Sequence, residues 1–370
     1  MTTILAETAL LPEGWRDNVR VEIAAGRIAS VAAGAVPGPE DLRTGPLLPA
    51  PCNLHSHGFQ RAMAGLTEGR GPEGRDSFWT WRRLMFRFLD RLTPDDVEAI
   101  TAFAQMEMLE AGYGSVAEFH YLHHAPGGAA YDNRAEVSER VAAAAATSGL
   151  GLTLLPVLYM QGGCDGRALE AGQIRFGNDL GGYAELLEGA EAALKPLGDA
   201  QLGLSAHSLR AVPVEVAAHL PELRPGAPVH MHLAEQRAEV EEVEAAQGAR
   251  PVTLALDRLP LDAPWCFIHC TQMTPQETEN LAKSGAVAGL CPVTEASLGD
   301  GIFDGAAYLE AGGMLGLGTD SNIRISLAEE LRGLEYSQRL RDRARAVLAT
   351  PERSTGRRLF DAALAGGERA

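Results

Sequence analysis

His55 and His57 stand one residue apart in "NLHSHGFQRA" (53–62), directly after an apolar run. In an extended strand the side chains at i and i+2 point the same way, so both imidazoles would project toward one point. Further candidates follow downstream: His232 in "HMHLAEQ" (230–236), His269 in "IHCTQMT" (268–274) and Asp320 in "GTDSN" (318–322). His55, His57, His232 and Asp320 together make a donor set suited to one Zn²⁺ with a position left for water; Fe²⁺ or Mn²⁺ would accept the same ligand types. Glu235 lies three residues beyond His232, where a chain leaves its strand, and is better placed as an acid or base than as a ligand. His269 could steady an activated water or a developing oxyanion. With Asp320 near the same water, the minimal chemistry is metal-assisted hydrolysis at an sp² carbon.

Elements must exist that bring positions 55 to 320 to one place. From Leu47 onward the pattern repeats as strand, polar residue, helix, Gly, strand. Thr93-Pro94-Asp95-Asp96 reads as a helix start, with Thr as N-cap, Pro at the first position and acids at the positive end; the helix runs to Ala111 and Gly112 stops it. Thr274-Pro275-Gln276-Glu277 repeats the device and ends at Gly285. The buried-looking strand segments are 47–54, 115–120, 151–159, 201–206, 228–232, 265–269, 286–291 and 314–319, eight in all. Apolar strands alternating with helices imply parallel pairing, and eight such units imply an α/β fold of the TIM (β/α)8 barrel type. An open doubly wound sheet is disfavoured because the first strand–helix turn has no Gly-rich phosphate loop. In a barrel the site gathers at the C-terminal strand ends, where this chain places His55 and His57, then Glu118, His120 and Tyr121, then His207, His230 and His232, His269 and Asp320.

The first 46 residues differ in style. "VRVEIAAGRIASV" (19–31) reads as a hairpin around Ala25-Gly26, part of a small β element at 1–46, with the barrel and its C-terminal helices over 47–370.

Composition limits the partners. The chain has 370 residues, 46% hydrophobic and 22% charged, with a formal charge of −17 and no long Lys/Arg run. That balance argues against nucleic acid and anionic membrane, while a pocket holding a few Arg can still take an acidic small molecule. The five cysteines, Cys52, Cys164, Cys266, Cys270 and Cys291, are odd in number and contain no CxxC, which points to a reducing cytoplasm. "MTTILAETALLPEGW" lacks the basic start of a signal peptide. The uncharged run Val141–Asp165 reads as a helix end, a turn and a buried strand rather than a membrane span. The HxE…PCxxC signature of the cytidine-type zinc deaminases is absent.

The order HxH, HxxE, His, Asp along the strands resembles the amidohydrolase superfamily in its single-metal deaminase branch. The strings "NLHSHGFQRAMAGLTE" (53–68), "SVAEFHYLHH" (115–124), "AHSLRAV" (206–212), "HMHLAEQ", "IHCTQMT" and "GTDSNIRISLAEELRGLEYSQRL" (318–340) resemble, more narrowly, the N-formimino-L-glutamate deiminase family of histidine degradation. The resemblance implies His55, His57, His232 and Asp320 as zinc ligands, and Glu235 and His269 as the proton-handling pair with Asp320 as general base. It further implies Gln60, Arg82, Tyr121, His207 and Arg210 as substrate-holding residues, a dicarboxylate substrate and a homodimer. Arg is the best fork for a carboxylate, but Arg83 and Arg87 compete with Arg82.

Two departures bear on the fold. Where the family opens its first barrel strand with Pro-Gly, this chain has Pro49-Ala50, so a positive φ there would strain Ala50. Family members continue for several dozen residues beyond the equivalent of 370, completing the small β domain. The hairpin is therefore expected to lack partner strands and expose an edge. Two alternatives stay open: a related deaminase of guanine, cytosine or a thioadenosine, and a catalytically silent barrel.

Overall fold

The hairpin over 19–31 forms, and it has a partner. In the computed structural model, which describes residues 2–69, 77–262 and 264–370, strands β1 (Thr2–Leu11), β2 (Gly14–Ala24), β3 (Arg27–Ala32) and β4 (Leu42–Leu47) form a sheet of order β3-β2-β1-β4. Ala25 (φ 50°) and Gly26 (φ 75°) make a two-residue turn of the twist that suits a hairpin. β2 pairs antiparallel with β1 from Thr2↔Ile23 to Leu11↔Gly14, and β4 runs parallel to β1. The expectation of an unpartnered hairpin is therefore corrected: alternation in residues 2–11 supplies the neighbouring strand. Ala6, Ala9, Val19 and Val21 form the buried face of this sheet. Ala50 has no positive φ, so the strain inferred from the missing glycine is not observed.

Residues 1–50 and 51–370 are separate compact units. The second holds the barrel: β5 (Cys52–Ser56), β6 (Ser115–His120), β7 (Gly151–Leu158), β8 (Ala200–Leu202), β9 (Leu204–Ala206), β10 (Val229–Leu233), β11 (Trp265–His269), β12 (Val287–Leu290) and β13 (Met314–Leu317). All pairings are parallel, in the order β13-β12-β11-β10-β9-β7-β6-β5, with β8 beside β7. The fourth barrel strand is thus split at Gly203, whose N–H donates to Leu154 O. The first barrel strand begins at 52 rather than 47, because the apolar residue Leu47 ends β4 of the small sheet.

Helix starts at 93–96 and 274–277 carry the anticipated Thr caps, each within a capping box: Thr93 Oγ1 accepts from Asp96 N and Asp96 Oδ2 from Thr93 N, and Thr274 and Glu277 reciprocate likewise. The run 141–165 resolves into the end of helix Glu136–Ser148, a turn and β7. Among the described residues no helix is long and apolar enough to cross a membrane.

Between β13 and β5 the ring is closed by bridging backbone bonds rather than by a full ladder. Thr319 and Asp320 N–H donate to His55 O, and His57 N–H donates to Asp320 O at 2.9 Å. Only glycine fits at 318, where an added Cβ would lie 2.7 Å from His55 Cβ. Closure of the barrel and apposition of residues 55, 57 and 320 are the same structural event.

Candidate metal centre and substrate cavity

Alternation along β5 turns His55 and His57 into the barrel mouth, and β10 delivers His232 from the opposite wall. Asp320 follows β13 in a left-handed conformation (φ 46°), a strained state costing on the order of 1 kcal/mol or more for a residue with a Cβ. A network stitches the seam that carries it. Asn53 Nδ2 donates to Thr319 Oγ1 and accepts through Oδ1 from Thr319 N, while Asn322 Nδ2 donates to Ser56 Oγ and His57 O.

One ligand atom from each of His55, His57, His232 and Asp320 lies within 4.8 Å of the others, and all four residues are buried. Asp320 Oδ1 is 3.2 Å from His57 Nε2 and 3.5 Å from His55 Nε2; His232 Nε2 is 3.1 Å from His55 Nε2. His57 Nδ1–H donates to Phe119 O and His232 Nδ1–H to His207 O, which turns each Nε2 toward the common centre. Burial holds His55 down at about 3 against the opposing hydrogen bond to Asp320. His232 is likewise lowered, by burial first and then by neighbouring imidazoles. For Asp320, burial alone would raise the pKa, but bonds from His55 and His57 win and hold it well below the usual range. Three imidazoles and one carboxylate converging on one buried point fit a divalent cation.

Glu235 and His269 flank this cluster. Ala234 takes φ 53°, and Glu239 Oε1 and Oε2 accept from the N–H groups of Ala234 and Glu235, fixing the turn that aims Glu235. His269 (φ 72°) donates from Nδ1 to Glu295 Oε1 at 3.3 Å; its Nε2 lies 3.9 Å from Glu235 Oε1 and 4.0 Å from Asp320 Oδ2. Burial would lower His269, yet Glu235, Glu295 and Asp320 raise it to about 10. Burial raises Glu235, with His269 opposing. Such a pair can exchange a proton beside the metal centre. Cys291 Sγ also groups with His269 and Asp320, but burial pushes its thiol well up, so it stays protonated.

A cleft opens on the cluster and is lined by His57, His232, Glu235, His269 and Asp320 together with Gln60, Arg82, Tyr121, His207 and Arg210. Arg82 faces this cleft, whereas Arg83 and Arg87, on the same helix Phe78–Leu89, are exposed. Arg82 Nη2 donates to the Tyr159 hydroxyl and its guanidinium stacks 5.0 Å from the Phe86 ring centroid. Arg210 is 8% exposed and its Nε is unpartnered. Neither forms an ion pair among the described residues. Gln60 Nε2 donates to Tyr121 Oη at 2.7 Å, and Gln60 Oε1 is a buried acceptor without a donor.

Three residues counted at strand ends are elsewhere. Glu118 and His120 occupy the alternate face of β6: Glu118 accepts from Gly58 N, and His120 Nε2 bonds Ser138 Oγ. His230 sits two residues deeper in the barrel, facing Ala370 O. Period 2 separates them from Tyr121, and depth separates His230 from His232. Glu239 and Glu295 escaped the sequence reading although both are first-turn acids of the helices that follow site strands.

Comparison with known proteins agrees with this architecture. Residues 1–45 match the model described as "Formimidoylglutamate deiminase HutF, N-terminal domain". The chain is 49% identical over 373 residues to the formimidoylglutamate deiminase of Pseudomonas aeruginosa, covering 100% of this chain and 82% of that one. The crystal structure of an amidohydrolase from Brucella melitensis superposes with a TM-score of 0.97 at 50% identity, covering 100% of this chain and 82% of that chain. A zinc-bound adenosine deaminase from Xanthomonas campestris shares the fold at 20% identity, with a TM-score of 0.75 over 100% of this chain and 79% of that one. Residues 47–353 match the model described as "Amidohydrolase family", and the chain belongs to that family.

Proposed function

We propose that this protein hydrolyses N-formimino-L-glutamate to N-formyl-L-glutamate and ammonia in histidine degradation, using one divalent ion, Zn²⁺, held by His55, His57, His232 and Asp320. One observation carries the substrate class. Arg82 and Arg210, two guanidinium groups without carboxylate partners, face the cleft that holds the cluster, and a dicarboxylate supplies both missing anions. The Pseudomonas aeruginosa relative bears the corresponding name.

When bound, the ion supplies Lewis-acid activation of a water. Arg82 and Arg210 grip the carboxylates; the orphan Gln60 Oε1 accepts from a substrate N–H, and Tyr121 and His207 complete the walls. Burial keeps His207 neutral. Asp320 takes a proton from the attacking water, and positively charged His269 steadies the oxygen as the formimino carbon becomes tetrahedral. Glu235 or Asp320 then delivers a proton to the departing nitrogen, which leaves as ammonia. Five free cysteines suit a reducing cytoplasm, and a homodimer is the proposed working unit.

The test is ammonia release from N-formimino-L-glutamate, guanine, cytosine and 5′-methylthioadenosine, with metal content measured on the same preparation. Turnover of formiminoglutamate with about one equivalent of metal is expected. Activity on a purine alone, or folded protein that binds no metal, would overturn the reading.

A further inference from the structure

One buried guanidinium has no part in the chemistry above. Arg175 is 1% exposed and forms no ion pair among the described residues. Its Nε donates to His124 O at 2.8 Å, its Nη2 to Leu92 O at 3.1 Å and its Nη1 to Leu89 O. Leu89 ends the helix Phe78–Leu89. Leu89 O already accepts from Leu92 N–H at 3.1 Å; Arg175 adds a second donor and places a cation at the negative pole of the helix macrodipole.

That helix supplies Phe78, Trp81, Arg82 and Met85 to the cleft wall. The segment around Arg175 grips it at other points as well. Gln173 Nε2 donates at 2.9 Å to the same Tyr159 hydroxyl that Arg82 Nη2 reaches. Gly172 packs so tightly on Phe86 that an added Cβ would lie 2.4 Å from its ring. On its other side the segment is tied to the end of β6, because Arg175 O accepts from His123 and His124 N–H. Arg175 therefore links a barrel strand end to the end of the helix that carries Arg82.

We propose that Arg175 is a positioning residue for substrate affinity: it clamps the C-terminal end of helix Phe78–Leu89 and so keeps the Arg82 guanidinium over the cleft without touching the substrate. This rests on the reading that Arg82 holds a substrate carboxylate. A lysine cannot replace it fully, since an ammonium is a point charge and the three carbonyls are met by a planar fork.

R175K is the variant of choice because it keeps the buried charge; R175M is its harsher companion. In the metal-loaded enzyme, R175K is expected to raise KM for N-formimino-L-glutamate about tenfold with kcat within about twofold of the parent, and to raise KM less than about twofold further in an R82M background, since residues acting through one contact are non-additive. Amide hydrogen exchange over residues 78–89 should quicken in R175K while exchange over β5 and β10 is unchanged. A kcat loss matching the loss in kcat/KM, additive effects with R82M, or unchanged exchange in the helix would each overturn the proposal. Should the parent enzyme fail to turn over formiminoglutamate, the functional reading falls, and the exchange measurement, which needs no substrate, still decides whether Arg175 clamps the helix. If R175M does not fold, R175K alone carries the test.

Discussion

The two walls of the active cleft are built differently. The metal side consists of strand ends and the barrel seam, where His55, His57, His232 and Asp320 are buried and two of the imidazoles are aimed by backbone carbonyls. The arginine side consists of a helix and loops. Arg82 is half-buried and held by a 3.3 Å bond to Tyr159 and by ring contacts, and Arg210 follows β9 in a turn. Strands fix positions through shared ladders, whereas a helix packed only through its side chains has no ladder to hold it. Under the proposed function, reaction chemistry would fall to the rigid wall and substrate choice to the adjustable one.

The largest effect should come from the rigid wall. Asp320→Asn keeps the shape but removes the only carboxylate of the four-residue cluster, and it should cost at least about 10³-fold in kcat together with most of the bound metal. Elemental analysis and ammonia release on the same sample check this. Near-normal turnover with a full complement of metal would break the division of labour.

Next in size is the opposite wall. Arg210→Met should lower kcat/KM by roughly 10²-fold, mostly through KM, because a charge-assisted bidentate contact is lost while the metal stays bound. A pure kcat effect, or loss of metal, would place Arg210 in the chemistry and erase the contrast.

A subtler change sharpens the rigid side. Glu295 helps raise His269 to about 10, so Glu295→Gln should lower that pKa. The sign follows from the charged form: a group raised in the folded state is protonated below the shifted value and loses its proton as pH rises through it. If protonated His269 is the active form, the alkaline limb of the kcat/KM profile moves to lower pH in the variant. An unmoved limb would remove His269 from the proton inventory.

Much of the rigid wall was legible because strand periodicity is a local property. Segments 115–120 and 265–269 coincide with β6 and β11, and HxH spacing alone oriented two ligands. Alternation supplies neither depth, so His230 and His232 read alike, nor which sheet an apolar run joins, so Leu47 reads as barrel although it ends β4. Glu239 and Glu295 reach backward from first helical turns to pin Glu235 and His269. Neither helix start offers a Ser or Thr cap, since Gln236 and Cys291 stand there, so no local signal marks these acids in the sequence. On the adjustable wall the sequence offered Arg82, Arg83 and Arg87 without ranking them; only helix phase, read against the cleft, separates Arg82 from its exposed neighbours.

The smallest effect belongs to a feature remote from both walls. Thr93 caps the helix Pro94–Glu110, its Oγ1 accepting from Asp96 N at 3.2 Å while Asp96 Oδ2 accepts from Thr93 N at 3.0 Å. Thr93→Ala leaves the Asp96 N–H without its acceptor and removes the hydroxyl's bond to Asp96 Oδ2, while the residue-93 N–H still bonds the acid; this should cost about 1 kcal/mol of stability. No cleft residue contacts this box, so kcat and KM should remain within about twofold of the parent while the denaturation midpoint falls. The residue just before this cap, Leu92, accepts through its O from Arg175 Nη2. A rise in KM in Thr93→Ala would therefore mean that loosening the helix start reaches Arg82 through that carbonyl, and the adjustable wall would extend further than the helix that carries it.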